Sequence, residues 1–195
     1  MCCFNTSLLV SAKLSGVLLV GGASTRFGSP KALARFRGET LAERAWRVLG
    51  QACDERLAVG KKGELALPFP VLDDGAELRA PIVGVIAGLR ATAYDTVVFL
   101  PVDCPLVTPG LLRALGEARA VPQTGPLPGV YASADLPELE RRLAVGELSL
   151  RGVNPTVLEV DERLLANANT PRDLSALEQD LAALDEERPG LAVDS

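Results

Sequence analysis

The sequence predicts an α/β fold: a three-layer α/β/α sandwich around a mixed, mainly parallel sheet. Three observations predict it. Short apolar runs alternate with helical patterns, the signature of strand–helix–strand crossovers. Residues 96–102 (TVVFLPV) form a β-branched and aromatic run with no polar face, as a central strand buried on both sides requires. The chain has 195 residues, 48% hydrophobic and 23% charged, which suits one globular domain.

The elements follow in order. Residues 14–20 are an apolar run ending at Gly21-Gly22, a buried parallel strand and a tight turn. Residues 40–49 place Leu41, Ala45, Val48 and Leu49 on one helical face, and Gly50 is expected to stop that helix. Residues 56–59 read as a second strand, with 60–63 as its loop, and 70–72 as a third, cut off by Asp73-Asp74-Gly75. Residues 81–91 fit either helix or strand. Pro81 at the first position favours a helix, and Gly84 and Gly88 allow close approach to a neighbour. Thr108 and Pro109 open a helix over 109–120. Residues 125–133 are Pro/Gly-rich and then extended. A helix over 136–145 turns Leu139 and Leu143 inward, and 156–160 form a strand. Thr170-Pro171-Arg172-Asp173 is a capping box that opens a helix with Leu174, Leu177, Leu181 and Leu184 on its apolar face. Residues 1–13 read as a loose leader, 14–187 as the domain, and the acidic 188–195 as a frayed tail.

Composition narrows the chemistry. The chain has no histidine, which removes Ser-His and Cys-His nucleophile systems and every His-ligated metal site. The net charge of −5 argues against a general nucleic-acid binder. The four cysteines show no CxxC spacing, so a reducing cytoplasm is the expected compartment. No apolar run is long enough to span a membrane, and the leader lacks the pattern of a signal peptide.

In parallel sheets ligands bind beyond the carboxyl ends of the strands. That rule singles out residues 21–31, Asp73-Asp74 and Asp103. In the first, a strand feeds the loop GGASTRFGSPK. Small residues let backbone N–H groups approach an anion, Arg26 offers a planar fork for phosphate, and Lys31 a point charge. The loop matches neither the Walker pattern nor GxGxxG. A plain strand-to-helix connection with solvated charges is the alternative. Asp103 ends the strongest strand and is stopped by Pro105. It could be a turn acid, or it could hold a hard cation against phosphate oxygens. Lys61-Lys62 reads as a solvated loop, Cys104 as a small buried residue, and Trp46 as core or rim.

The loop resembles the GGxSxRxGxxK signature of nucleotidyltransferases that activate sugars and pterins with NTPs. Val20 and Phe27 stand where many members have Ala and Met. Residues 14–178 as a whole resemble the molybdenum cofactor guanylyltransferase family, of MobA-like type. That family implies a Rossmann-like nucleotidyltransferase fold and transfer of GMP from GTP to molybdopterin cofactor, with pyrophosphate as the other product. Carried over residue by residue, it implies catalytic roles for Arg26, Lys31 and Asp103. It implies nucleotide contacts from Leu19, Val20, Gly21, Gly22, Ser24, Arg26, Lys31, Asp74, Gly84 and Asp103, with Mg²⁺ on Asp103.

Asp74 is the second acid of a pair that resembles the family's nucleotide-binding acids, and a plain turn role is its alternative. Ala80 departs from the leading Gly of the segment that follows. Asn167 and Asn169 resemble the family's N-x-N-T-P close and are placed at the metal or the acceptor phosphate. Residues 126–131 and 146–151 resemble acceptor-side segments. The absence of a Gly-His-Pro, usual in the related cytidylyltransferases, favours guanosine. Cytidylyl or other nucleotidyl transfer to a pterin or sugar phosphate, and a non-catalytic nucleotide-binding module, are the alternatives. Neither nucleic acid nor membrane is an expected partner. Proteins that deliver or receive the pterin are conceivable partners, and the oligomeric state is open.

Overall fold

The computed structural model describes residues 13–21 and 30–187. The leader and tail expectations therefore lie outside the described residues, as do Gly22, Ser24 and Arg26 of the loop.

The chain order is β1 (Leu14–Leu19), β2 (Arg35–Phe36), β3 (Glu39–Thr40), α1 (Leu41–Ala52), β4 (Glu55–Gly60), β5 (Leu72–Asp73), α2 (Pro81–Ala91) and β6 (Thr96–Pro101). There follow α3 (Pro109–Ala118), β7 (Val121–Pro122), β8 (Gly129–Ala132), α4 (Leu136–Ala144), β9 (Val157–Leu158) and α5 (Pro171–Glu187). The main sheet has the order β5-β4-β1-β6-β8. Its first four strands are parallel and β8 is antiparallel to β6. Every residue of β1 is buried, as its two neighbours and two covering layers demand.

Alternation along the strands divides the core into two layers. Leu18, Val98 and Leu100 face α1, α3 and the start of α5. Val17, Val97, Phe99 and Tyr131 face α2 and α4. This is the expected three-layer sandwich with a mixed, mainly parallel sheet. The chain leaves β1 for β4 on one side and later enters β6 on the other. A crevice therefore opens between β1 and β6, where strand order reverses.

Local chemistry explains most boundaries. Thr40 caps α1 by accepting from the Glu43 amide while the Glu43 carboxylate accepts from Thr40 N–H. Thr108 accepts from the Leu111 amide at the start of α3. The ambiguous 81–91 segment is a helix. A Cβ on Gly84 would lie 2.8 Å from Leu19 Cδ2, and one on Gly88 2.6 Å from the Phe99 ring. These glycines let α2 sit close on the sheet.

Several expectations need correction. Gly50 does not stop α1, which runs on to Ala52 before the Cys53 amide closes on Leu49 C=O. A single glycine weakens a helix without breaking it, and packing on the sheet holds this one. The third strand is only the pair Leu72–Asp73, registered against Val59 and Gly60. The expected strand over 156–160 is the pair Val157–Leu158, parallel to β7, while the β2–β3 hairpin and β7, each strand two residues long, carry no sequence signal. The hairpin turn puts Arg37 and Gly38 at positive φ, and Arg-Gly is not a usual signal for such a turn.

Candidate active site

Four carboxyl strand ends line one cleft of about 840 Å³. Val20 N–H donates to Val59 C=O (3.0 Å), and Val102 N–H to Leu19 C=O (3.2 Å). These bonds carry the pairing one step past the strands and hold Val20 and Gly21 at the crevice. Leu19 and Val20 line the cleft, but their side chains are buried in opposite core layers. A ligand would meet chiefly their backbone. Gly21 also lines it.

Lys31 opens a short 3-10 turn over Lys31–Leu33. Its Nζ donates to Asp103 Oδ2 (2.9 Å) and to Asn169 Oδ1 (3.0 Å). The Lys31 and Asp103 side chains are 17% and 22% exposed, so the pair is shielded and still reachable from the cleft. The close before α5 is built around Asp103. Ala168 N–H donates to Asp103 C=O (2.9 Å), and Cys104 Sγ–H to Asn167 Oδ1 (3.0 Å). Burial pushes the Cys104 thiol well above its usual range, so it is a protonated donor and no nucleophile. Arg44 of α1 donates to Pro105 C=O and steadies the turn after Asp103.

The Asp73–Asp74 pair splits its duties. Asp73 accepts from the Gly75 and Lys62 amides, which hold its carboxyl below the usual range, so Asp73 is the turn acid. Asp74 lines the cleft and receives Lys61 Nζ at 2.6 Å. Lys61 thus departs from the expected solvated loop. It is 14% exposed, Asp74 is 10% exposed, and Lys61 also donates to Ala76 C=O. The segment between β4 and β5 packs through Leu65, Leu67 and Phe69 on the core layer that holds α1. Phe69 anchors that segment by stacking on Trp46 at 4.3 Å, beneath Arg56. Glu64 and Arg79 pair across the same segment and line the cleft.

The structure thus brings together Leu19, Val20, Gly21, Lys31, Asp74, Gly84, Asp103 and Asn167 at one cleft, with Asn169 joined through Lys31. Gly84 contributes only backbone at the start of α2. Of the expected acceptor-side segments, Leu127 reaches the cleft. Residues 146–151 are instead tied to α4, where Arg142 donates to the Ser149 and Arg151 carbonyls. The reading by residues missed Lys61, Glu64 and Arg79. Lys61 directly follows β4, so the strand-end rule could have found it. The ion pair of Glu64 and Arg79 has no local signature.

Among the described residues, no group of three or more His, Cys, Asp or Glu side chains could cage a metal. One strand-end carboxylate suits a hard cation that takes its remaining ligands from phosphate and water. Among the described residues, Asp103 Oδ2 is held by Lys31, and Oδ1 has only a long 3.8 Å contact with Cys104 Sγ. That leaves Oδ1 able to serve such an ion. No described helix is long and apolar enough to cross a membrane.

Comparison with known proteins agrees with this geometry. A protein of Chloroflexus aggregans described as a "probable molybdenum cofactor guanylyltransferase" is 33% identical over 87% of this chain and 95% of its own. A molybdopterin-guanine dinucleotide biosynthesis protein A from Archaeoglobus fulgidus shares the fold, with a TM-score of 0.72. It is 24% identical over 87% of this chain and 99% of its own. A Mycobacterium tuberculosis protein solved in complex with manganese has a TM-score of 0.61 and 24% identity, over 86% of this chain and 99% of its own. Residues 16–154 match the MobA-like NTP transferase domain, and the chain belongs to that family of nucleotidyltransferases.

Proposed function

We propose that the chain transfers GMP from GTP to the phosphate of molybdopterin cofactor, giving the guanine dinucleotide and pyrophosphate. The observation that carries this reading is the Lys31–Asp103–Asn169 constellation at the β1/β6 crevice. A basic side chain, an acid and an amide converge there beside the Gly21 backbone.

An oxygen of the acceptor phosphate attacks the α-phosphorus of GTP. A new P–O bond forms, the bond to the β-phosphate oxygen breaks, and pyrophosphate leaves with that electron pair. The attacking oxygen is already anionic, so no general base is needed, and catalysis is positioning and charge stabilisation. Lys31, with Arg26 of the signature loop, neutralises the triphosphate and the leaving pyrophosphate. Backbone amides from Gly21, Gly22 and Ser24 complete the phosphate cradle. Mg²⁺ on Asp103 would supply Lewis-acid neutralisation of the phosphate oxygens. Asn169, its Oδ1 accepting from Lys31, keeps its amide N–H₂ as a donor for the acceptor side, and Asn167 of the same segment serves there too.

The test is pyrophosphate release with Mg²⁺, each NTP in turn, with and without molybdopterin cofactor. The expected result is release with GTP alone, and only with the pterin present. Release with CTP would replace the guanylyl reading by a cytidylyl one. Tight GTP binding with no release from folded protein would make the chain a binding module.

A further inference from the structure

The segment that carries Lys31 meets the segment that carries Asn169 at two points. At the cleft, Lys31 Nζ donates to Asn169 Oδ1. Outside the residues that line the cleft, Arg37 N–H in the β2–β3 turn donates to Glu178 Oε1 at 2.7 Å. Glu178 stands about two turns into α5, roughly 10 Å from its start. The phosphate chemistry assigns this second contact no role.

Both arms between the two contacts are stiff. On one, Asp173 Oδ2 accepts from the Asn169 and Thr170 amides (2.9 and 2.8 Å), and Asp173 N–H donates to Thr170 Oγ1. Asn169 is thereby bound to the first turn of α5. On the other, Ala34 N–H donates to Lys31 C=O, and Leu41 N–H to Ala34 C=O. These bonds tie the Lys31 turn to the hairpin. Ala32 and Phe36 of one arm and Leu174 of the other are buried in the same core layer. The two contacts therefore close a ring, from Lys31 through the hairpin to Glu178 and back along α5 to Asn169. Its hairpin end is held in a costly conformation. Arg37 has φ +49°, the left-handed region that residues with a Cβ avoid. A carboxylate accepting from its amide makes a charge-assisted bond, stronger than one between neutral groups.

We propose that Glu178 is a positioning residue: through the Arg37 amide it holds the Lys31 segment in register with the Asn169 segment. This rests on the reading of Lys31 and Asn169 as parts of the transfer site. With the hairpin end released, the Lys31–Asn169 contact alone must fix both segments, and Lys31 spends part of its time out of line with the phosphates. A misplacement of about 1 Å by a change far from the chemistry can lower turnover by about 10².

The experiment measures pyrophosphate release from GTP, with Mg²⁺ and molybdopterin cofactor, on the full chain and its variants. Glu178→Ala should lower kcat by about tenfold while KM for GTP stays within about threefold. Alanine is the stronger helix former, so a fault in α5 itself is not the cause. Glu178→Gln keeps the Oε1 acceptor and should restore kcat to within about threefold of the parent. In an Asn169→Ala background the ring is already open, and adding Glu178→Ala should cost less than about threefold more. A merely structural role would give the same proportional loss in both backgrounds, and that result overturns the proposal. So does a Glu178→Ala variant with the parent's kcat, or a Glu178→Gln variant as impaired as Glu178→Ala. If the parent releases no pyrophosphate with any NTP, the transfer reading falls, and urea unfolding reads the ring instead. The midpoint losses of Glu178→Ala and Asn169→Ala should then fall short of adding in the double variant, and strict additivity overturns the proposal.

Discussion

Replacing Lys31 by alanine separates chemistry from stability. The ammonium makes hydrogen bonds to Asp103 and Asn169 at 2.9 and 3.0 Å and is 17% exposed. Bonds to charged groups contribute about 1.5–3 kcal/mol each when well buried. Partial exposure and the desolvation of the ammonium offset much of that. The expected loss of stability is therefore about 1–2 kcal/mol, small against the ~5–15 kcal/mol of a typical domain. The catalytic loss should be larger. Removing one preorganised donor from developing phosphate charge costs about 3–4 kcal/mol, or roughly 10²–10³ in turnover. Pyrophosphate release and urea unfolding of the same preparation read both quantities. A variant that unfolds outright, or one that keeps turnover within threefold of the parent, would refute the assignment of Lys31 to the reaction.

Asp103→Asn keeps the size of the side chain but removes the charge. Release should fall by about 10² or more with the fold intact by circular dichroism, and undiminished release would remove Asp103 from the mechanism. Gly88→Ala drives a methyl into the Phe99 ring and Val17. It should cost about 1–3 kcal/mol and lower Tm, while an unchanged Tm would mean that α2 is not tightly seated. Asp173 should give a pH signature. The Thr170 hydroxyl and the Asn169 amide hold its carboxyl below the usual range. Its contribution is therefore present above the unfolded pKa of about 4 and lost as pH falls through the depressed native value. The Tm deficit of Asp173→Asn should thus be full at pH 7 and shrink in acid, and a deficit constant down to pH 3 contradicts this. Burial pushes the Cys53 thiol up to about 12 and the Cys104 thiol well above its usual range. With Cys2 and Cys3 changed to Ser, iodoacetamide at pH 8 should label the protein only after unfolding, and rapid native labelling would show that these thiols are not sealed.

Much of the architecture is legible along the chain because it is local. The β1 and β6 runs are apolar on both faces, so they announce central strands. Thr108 with Pro109 and Thr170 with Asp173 announce helix starts, since each threonine satisfies an amide within three residues. Strand ends also mark the loops where Lys31, Asp74 and Asp103 stand. Gly50 misled because tertiary packing outweighs a single weak helix former.

By itself, then, the sequence determines the layer order and the strand-end loops that carry the chemistry. Periodicity and capping act over a few residues and need no partner. Tertiary structure alone decides which of those loops meet. Asn169 reaches Lys31 across 138 positions of sequence, and Cys104 reaches Asn167 across 63. Lys61 reads as a solvated charge until β5 pairs with β4 and brings Asp74 and the Ala76 carbonyl against it. Burial and pairing of that kind are set by long-range closure, which no local pattern encodes.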